Sequence, residues 1–108
     1  CTDDGKLGIK GNILTPLNKI IKNVKTDDFK IFACGPSPMM KAVAKFSSNN
    51  NIDCDLALET IMACGVGICQ GCTIVRNTES INTYRNHYAL ACIDGPIFNI
   101  EEINNAFL

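Results

Sequence analysis

ACGVGICQGC, residues 63–72, sets Cys64, Cys69 and Cys72 in a C-x4-C-x2-C run, with Cys92 following at a distance. That spacing is the plant-type ligand pattern of a 2Fe-2S cluster. Each iron of such a cluster takes two thiolates, so three ligands must share one tightly wound loop while the fourth comes from elsewhere in the fold. Gly65, Gly67 and Gly71 suit that winding, because residues without a Cβ take positive φ and let backbone N–H groups come close to sulfur. Those amides matter electrically. The oxidised cluster with its thiolates carries a charge of roughly −2, reduction adds one more, and donors aimed at sulfur help set the potential. The segment predicts an electron carrier.

Two other readings of the cysteines stand beside this one. A disulfide framework is disfavoured by the odd total of seven cysteines and by the crowding of Cys64, Cys69 and Cys72, which suits a metal better. A structural zinc site is the stronger alternative, since four cysteines with one C-x2-C pair can build a tetrahedron. Zinc spacing usually consists of two short pairs, whereas here Cys64 precedes the pair and Cys92 stands alone. Cys1 and Cys54 read as ordinary small apolar residues, with Cys54 alternating with Leu56 and Leu58 on one face of a strand.

A chain of 108 residues with 46% hydrophobic and 19% charged content has an ordinary globular composition, enough for one domain or two small units. The net charge of −1 and the scatter of the ten basic residues give no electrostatic footprint for nucleic acid. No apolar run approaches the length of a membrane span. Thiolate ligands left unpaired fit a reducing, cytoplasmic setting. Because the chain opens on Cys1 and a turn-like TDDG rather than on Met, a longer parent protein is expected upstream.

Working back from the cysteine loop, Ile52 to Leu58 reads as a strand. Before it, Ser37 as N-cap and Pro38 at the first helical position open a helix with Met39, Val43 and Phe46 on its apolar face, closed by the turn-forming run Ser47 to Asn51. Met39 and Met40 are expected in the core. Phe29 to Cys34 is a compact apolar run that suits a buried strand, and Thr15-Pro16 caps a shorter helix reaching about Lys25. Thr2 to Gly11 is a glycine-rich loop. Helix, strand, helix, strand is the alternation of a parallel α/β sheet.

Working forward, the pattern changes at Glu59, where only brief strands are suggested: Thr73 to Arg76, Tyr88 to Cys92 and Ile97 to Phe98. The expected fold is α/β, with the second half of a parallel nucleotide-binding sheet at residues 1–58 and a small β-rich cluster domain at residues 59–108. So small a second core would draw much of its folding free energy from the cluster. Asn77 to His87 reads as a polar, mobile loop with a solvent-exposed His87, Asp94-Gly95-Pro96 as a tight turn pinning Cys92, and Asn99 as the cap of a short final helix.

TDDG with GIKG (2–11), ACGPSPMMKAVA (33–44), LETIMACGVGICQGC (58–72) and ACIDGPIF (91–98) together resemble the electron-transfer subunit of the NAD-dependent dihydroorotate dehydrogenases, within the ferredoxin-NADP reductase-like proteins. The resemblance runs nearly end to end. The related small subunits of NADH-dependent ferredoxin:NADP oxidoreductases carry an aspartate at the place of Cys64, so Cys64 favours the dihydroorotate branch; sulfite reductase and hydrogenase subunits are further relatives and keep open another oxidoreductase partner. The resemblance implies a heterotetramer in which an FMN-containing catalytic subunit oxidises dihydroorotate and this chain carries electrons to FAD and NAD without itself oxidising dihydroorotate. Family members carry an FAD-binding barrel and the first part of the nucleotide domain ahead of the point where this chain begins, so FAD and complete NAD binding are implied for the parent protein only. The stretch between Cys72 and Cys92 is longer than is usual in the family, which puts the local docking surface in question.

Cys34, Gly35 and Pro36 lie at the carboxyl end of an expected strand, where open α/β sheets bind ligands, and the resemblance places this element beside the nicotinamide. A strand-to-helix turn explains the same residues. Asp3 and Asp4 offer a carboxylate to a ribose hydroxyl and repel a 2′-phosphate, favouring NAD over NADP, although a plain Asp-Gly turn accounts for them too. No catalytic acid or base is assigned.

Overall fold

The computed structural model describes residues 1–24, 29–77 and 87–104. The first helix, α1, spans Leu14–Ile21. It begins two residues before the expected first position at Pro16, with Ile13 at the cap and Asn12 just ahead of it turning the chain in: Asn12 Oδ1 accepts the Leu14 N–H at 3.1 Å and its carbonyl accepts the Thr15 N–H at 3.1 Å. The helix ends at Ile21, short of the expected end near Lys25, because the chain tightens into a turn in which Asn23 N–H donates to the Ile20 carbonyl at 3.0 Å.

Strand β1 (Ile31–Cys34), helix α2 (Ser37–Asn49) and strand β2 (Cys54–Ala57) form a parallel strand–helix–strand unit, in register from Ile31 opposite Cys54 to Cys34 opposite Ala57. Pro36, not Ser37, occupies the position before the helix, in extended backbone, and its carbonyl accepts from Met39 and Met40 N–H at 2.9 and 3.1 Å. At the far end Asn50 Nδ2 donates to the Phe46 carbonyl at 2.7 Å, and Asn51 turns the chain with φ +52°. The helix buries Met40, Val43, Ala44, Phe46 and Ser47, one stripe at helical spacing, against the sheet. Opposite it, Cys54, Leu56 and Leu58 are buried, as their alternation predicts.

Two short antiparallel strands, β3 (Thr73–Val75) and β4 (Tyr88–Leu90), form a ribbon flanking the long connection, of which residues 78–86 lie outside the described residues. The last strand, β5 (Ile97–Asn99), does not join that ribbon. It pairs antiparallel with β2, Leu56 opposite Phe98, so the sheet is mixed with order β1-β2-β5. Phe98 is thereby buried beside Leu56, while the chain beyond it returns to β3: Asn104 N–H donates to the Val75 carbonyl and Asn77 N–H to that of Glu102, both at 2.9 Å. One buried cluster consequently runs from Met40 and Val43 through Leu56, Phe98 and Ile103 to Cys72, Ala89 and Ala91.

Polar side chains fasten β5 to β2. Asn99 Nδ2 donates to Asp53 Oδ1 at 2.6 Å and to Asp55 Oδ1 at 3.0 Å, and Lys30 Nζ lies 3.0 and 2.9 Å from the remaining oxygens of the same carboxylates. Asn99 Oδ1 also accepts the Glu101 N–H at 3.0 Å, but it caps a turn rather than a helix, and Ile100 and Ile103 both turn inward.

β1 is an edge strand and less buried than its composition suggests: Phe32 is 71% exposed and Cys34 is exposed. α2 covers only the face carrying Cys54 and Leu56, which leaves Phe32 and Cys34 on the open side with Ala57 and Ile97, around a cleft of about 160 Å³.

Candidate iron–sulfur site

The loop between Leu58 and β3 presents Cys64 and Cys69 at the surface, while Cys72 is buried at the start of β3 and Cys92, half-buried, follows β4. The ribbon fixes the last two together. Ala91 N–H donates to the Cys72 carbonyl at 3.0 Å, and the Cys72 and Cys92 Sγ atoms stand 3.2 Å apart. Asp94 sets the turn that carries Cys92: its Oδ2 accepts the Leu90 N–H at 2.7 Å, and its own N–H donates to the Leu90 carbonyl at 2.7 Å.

The outer pair is organised by backbone. Cys69 N–H donates to Cys64 Sγ at 3.4 Å, and Gly71 N–H donates to Cys69 Sγ at 3.4 Å. Gly67, at φ +78°, lies so close under Ile93 that a Cβ would stand inside the isoleucine side chain; this contact seats the loop directly against the residue after Cys92. Gly65, at φ +69°, needs glycine for conformation alone, since the space around it is open. Gln70 adopts φ +56° without being glycine.

These donors act on the thiols. The Cys69 amide, followed by that of Val66, brings the Cys64 thiol down to about 6. The Cys92 amide lowers Cys72, and Cys92, whose thiol faces the Cys72 sulfur, is raised. Cys54 is different in kind, because burial pushes its thiol up and it belongs to the core.

The sulfurs thus fall into two pairs, Cys64 with Cys69 and Cys72 with Cys92. Among the described residues no three His, Cys, Asp or Glu side chains converge as they would on a single ion. Four soft donors in two pairs, with N–H groups aimed at sulfur, fit an iron–sulfur group.

The nucleotide-side residues lie apart from this loop in sequence and are only partly brought together. Cys34 lines a cleft of about 270 Å³ with Leu17, Ile31 and Met39, and Asp3 lines a neighbouring cleft of about 440 Å³ with Gly11 and Pro38; Ile13 and Met39 border both. Asp4 is engaged locally, accepting the Lys6 N–H at 3.1 Å and lying 3.5 Å from Lys6 Nζ, which is the turn its sequence suggests. Pro36 closes the helix end, and His87 is exposed. Sequence reading missed the left-handed Gln70, the hydroxyl of Thr73 that accompanies it and the Gly67–Ile93 contact; the glycines pointed to the loop but not to what it packs on.

Residues 59–104 match the family model described as the iron-sulfur cluster binding domain of dihydroorotate dehydrogenase B. A dihydroorotate dehydrogenase B (NAD(+)) electron transfer subunit from Caldanaerobacter subterraneus subsp. tengcongensis is 36% identical over 103 residues, covering 94% of this chain and 38% of the relative. A probable subunit of the same name from Methanocaldococcus jannaschii is 36% identical over 98 residues, covering 91% and 34%. A solved structure of an NADH-dependent reduced ferredoxin-NADP oxidoreductase, described in terms of flavin-based electron bifurcation, superimposes with a TM-score of 0.77 at 27% identity over 95% of this chain and 34% of that one. The chain spans about a third of the length of the curated relatives it matches.

Over residues 59–104 the chain matches an iron–sulfur cluster binding domain, and over 95% of its length it shares the fold of part of a ferredoxin-NADP oxidoreductase structure. More particularly, the chain is similar to the electron-transfer subunits of dihydroorotate dehydrogenase B, and its residues 59–104 match the model of their iron–sulfur cluster binding domain.

Proposed function

We infer that this chain holds a 2Fe-2S cluster on Cys64, Cys69, Cys72 and Cys92, and serves as the electron-transfer module of a dihydroorotate dehydrogenase in pyrimidine biosynthesis. The observation that carries the reading is the pairing of the sulfurs, two on an amide-lined loop and two on a rigid ribbon, within the segment matching the family model. A bound cluster supplies one-electron exchange between flavins across a separation hydride transfer cannot span. The chain's own residues supply ligands, N–H donors that stabilise negative charge on sulfur, and an apolar surround. Cys64 and Cys69 face outward, rimmed by Ile61 and Ile68, which are 82% and 81% exposed and suit a partner that excludes water.

In this reading residues 59–108 are the cluster unit, closed by β5 on the first sheet. Residues 1–58 are the later half of a parallel nucleotide-binding sheet, with Cys34, Gly35, Pro36 and Asp3 bordering NAD and FAD held by the parent protein. The partner is an FMN-containing catalytic subunit in a heterotetramer of the cytoplasm. The parallel β1–α2–β2 unit and the neighbouring clefts at Cys34 and Asp3 support that side of it.

The test is anaerobic mixing of the chain with an FMN-containing dihydroorotate dehydrogenase subunit and dihydroorotate. Bleaching of the chain's visible absorbance that depends on all three components is expected. A coloured chain that stays oxidised points to another oxidoreductase partner, of sulfite reductase or hydrogenase type, and a colourless, zinc-containing chain points to a structural domain.

A further inference from the structure

The cluster loop contains a backbone arrangement that glycine does not explain. Gln70 takes φ +56°, a conformation that side chains beyond glycine adopt rarely and that persists only when its surroundings hold it. Thr73 is one residue that holds it. Its Oγ1 donates to the Gln70 carbonyl at 2.6 Å, a short hydrogen bond across the turn that opens β3. The carbonyl of Gln70 and the N–H of Gly71 belong to one planar trans peptide and point in opposite directions. Fixing the oxygen toward Thr73 therefore aims the Gly71 N–H the other way, and the atom it meets is Cys69 Sγ, at 3.4 Å. Thr73 is exposed, so packing does not account for the contact. As the first residue of β3, opposite Leu90, it is itself held by the ribbon that carries Cys72 and Cys92.

We propose that Thr73 is a positioning residue: its hydroxyl locks the Gln70–Gly71 peptide plane, and through the Gly71 N–H it sets the reduction potential of the cluster held by Cys69. The inference rests on the iron–sulfur reading above. An N–H donor aimed at a thiolate sulfur stabilises the more negative, reduced state, so losing the lock disfavours reduction.

Thr73→Val keeps the branched shape and loses the hydroxyl, whereas Thr73→Ser keeps the hydroxyl and loses the methyl. The full chain is purified without oxygen in each form, its iron and acid-labile sulfide are counted, and its midpoint potential and reduced EPR spectrum are recorded. Thr73→Val with wild-type iron and sulfide is expected to have its reduction equilibrium weakened by up to about tenfold, or ~59 mV toward negative potential for a one-electron couple. Its EPR g-values change, and Thr73→Ser restores both readouts. Failure of Thr73→Val to load a cluster that both Thr73→Ser and the wild type load also supports the lock, since the hydroxyl is the group those two share and Thr73→Val lacks. A fully loaded Thr73→Val chain with the wild-type potential and spectrum overturns the proposal, as does a Thr73→Ser chain that behaves like Thr73→Val. If the wild-type chain holds neither iron nor sulfide, the reading of the site itself has failed, and this inference goes with it.

Discussion

Replacing Gly67 with alanine tests whether the cluster loop is seated by its contact with Ile93. Gly67 has φ +78° and no room for a Cβ, whereas Gly65 has φ +69° and open space around it. Both alanine variants bear the left-handed penalty of about 1–2 kcal/mol, reduced by about 0.4–1 kcal/mol because alanine also restricts the unfolded chain. Gly65→Ala should therefore cost about 1 kcal/mol. Gly67→Ala adds a clash with Ile93 Cδ1, the far end of an exposed side chain that must leave its rotamer, at about 1 kcal/mol more. The readout is the urea midpoint for loss of the visible absorbance of the cluster-loaded chain, where a gap of that size corresponds to up to about 1 M for a slope of 1–3 kcal/mol/M. Ile93→Ala removes the colliding atoms, so the double variant should recover the clash portion and leave the conformational one, a coupling of about 1 kcal/mol. Equal midpoints for the two single variants, or a double variant with additive losses, would refute the seating role of Ile93.

Other consequences are equally concrete. Serine at Cys64, Cys69, Cys72 or Cys92 should abolish or sharply reduce bound iron and sulfide, while serine at Cys1 or Cys34 should leave both at wild-type levels; elemental analysis decides. Leu56→Ala empties the fully buried centre of the mixed sheet and should destabilise the chain by about 2.7–5 kcal/mol, read from urea unfolding followed by far-UV circular dichroism. Asp53 is held below its ordinary range first by the Lys30 hydrogen bond and then by Asn99. Its folded pKa lies under its unfolded one, so its stabilising share is complete above about pH 4 and disappears as pH falls through the folded value. Asn99→Ala should flatten that acid limb, and because the carboxylate is exposed the difference should shrink in high salt, as thermal melts across pH will show.

The winding of the cysteine loop was readable because its glycines marked where the backbone had to turn, and Gly65 and Gly67 indeed take positive φ. Helix α2 and strand β2 were readable for a related reason: each buries one face, so 3.6-residue and two-residue periods appear directly in the residues. The destination of β5 was hidden, since a three-residue strand carries no periodicity and Phe98 could have packed on either sheet. It was the free edge of β2, fastened through Asn99 to Asp53 and Asp55, that settled its place. The exposure of Phe32 was equally invisible, because an apolar run does not reveal that its strand lies at the edge with one face uncovered. The helix caps moved by two residues at α1, from Thr15 to Ile13, and by one at α2, from Ser37 to Pro36. Gln70 and Thr73 escaped notice because a left-handed glutamine has no sequence signature.

The most direct test is to purify the full chain without oxygen, count iron, zinc and acid-labile sulfide per chain, and record EPR after dithionite reduction. About two irons and two sulfides with a rhombic signal in the reduced state are expected of cysteines paired as Cys64 with Cys69 and Cys72 with Cys92. One zinc per chain, no sulfide and no visible absorbance would contradict it and return the four cysteines to a structural role.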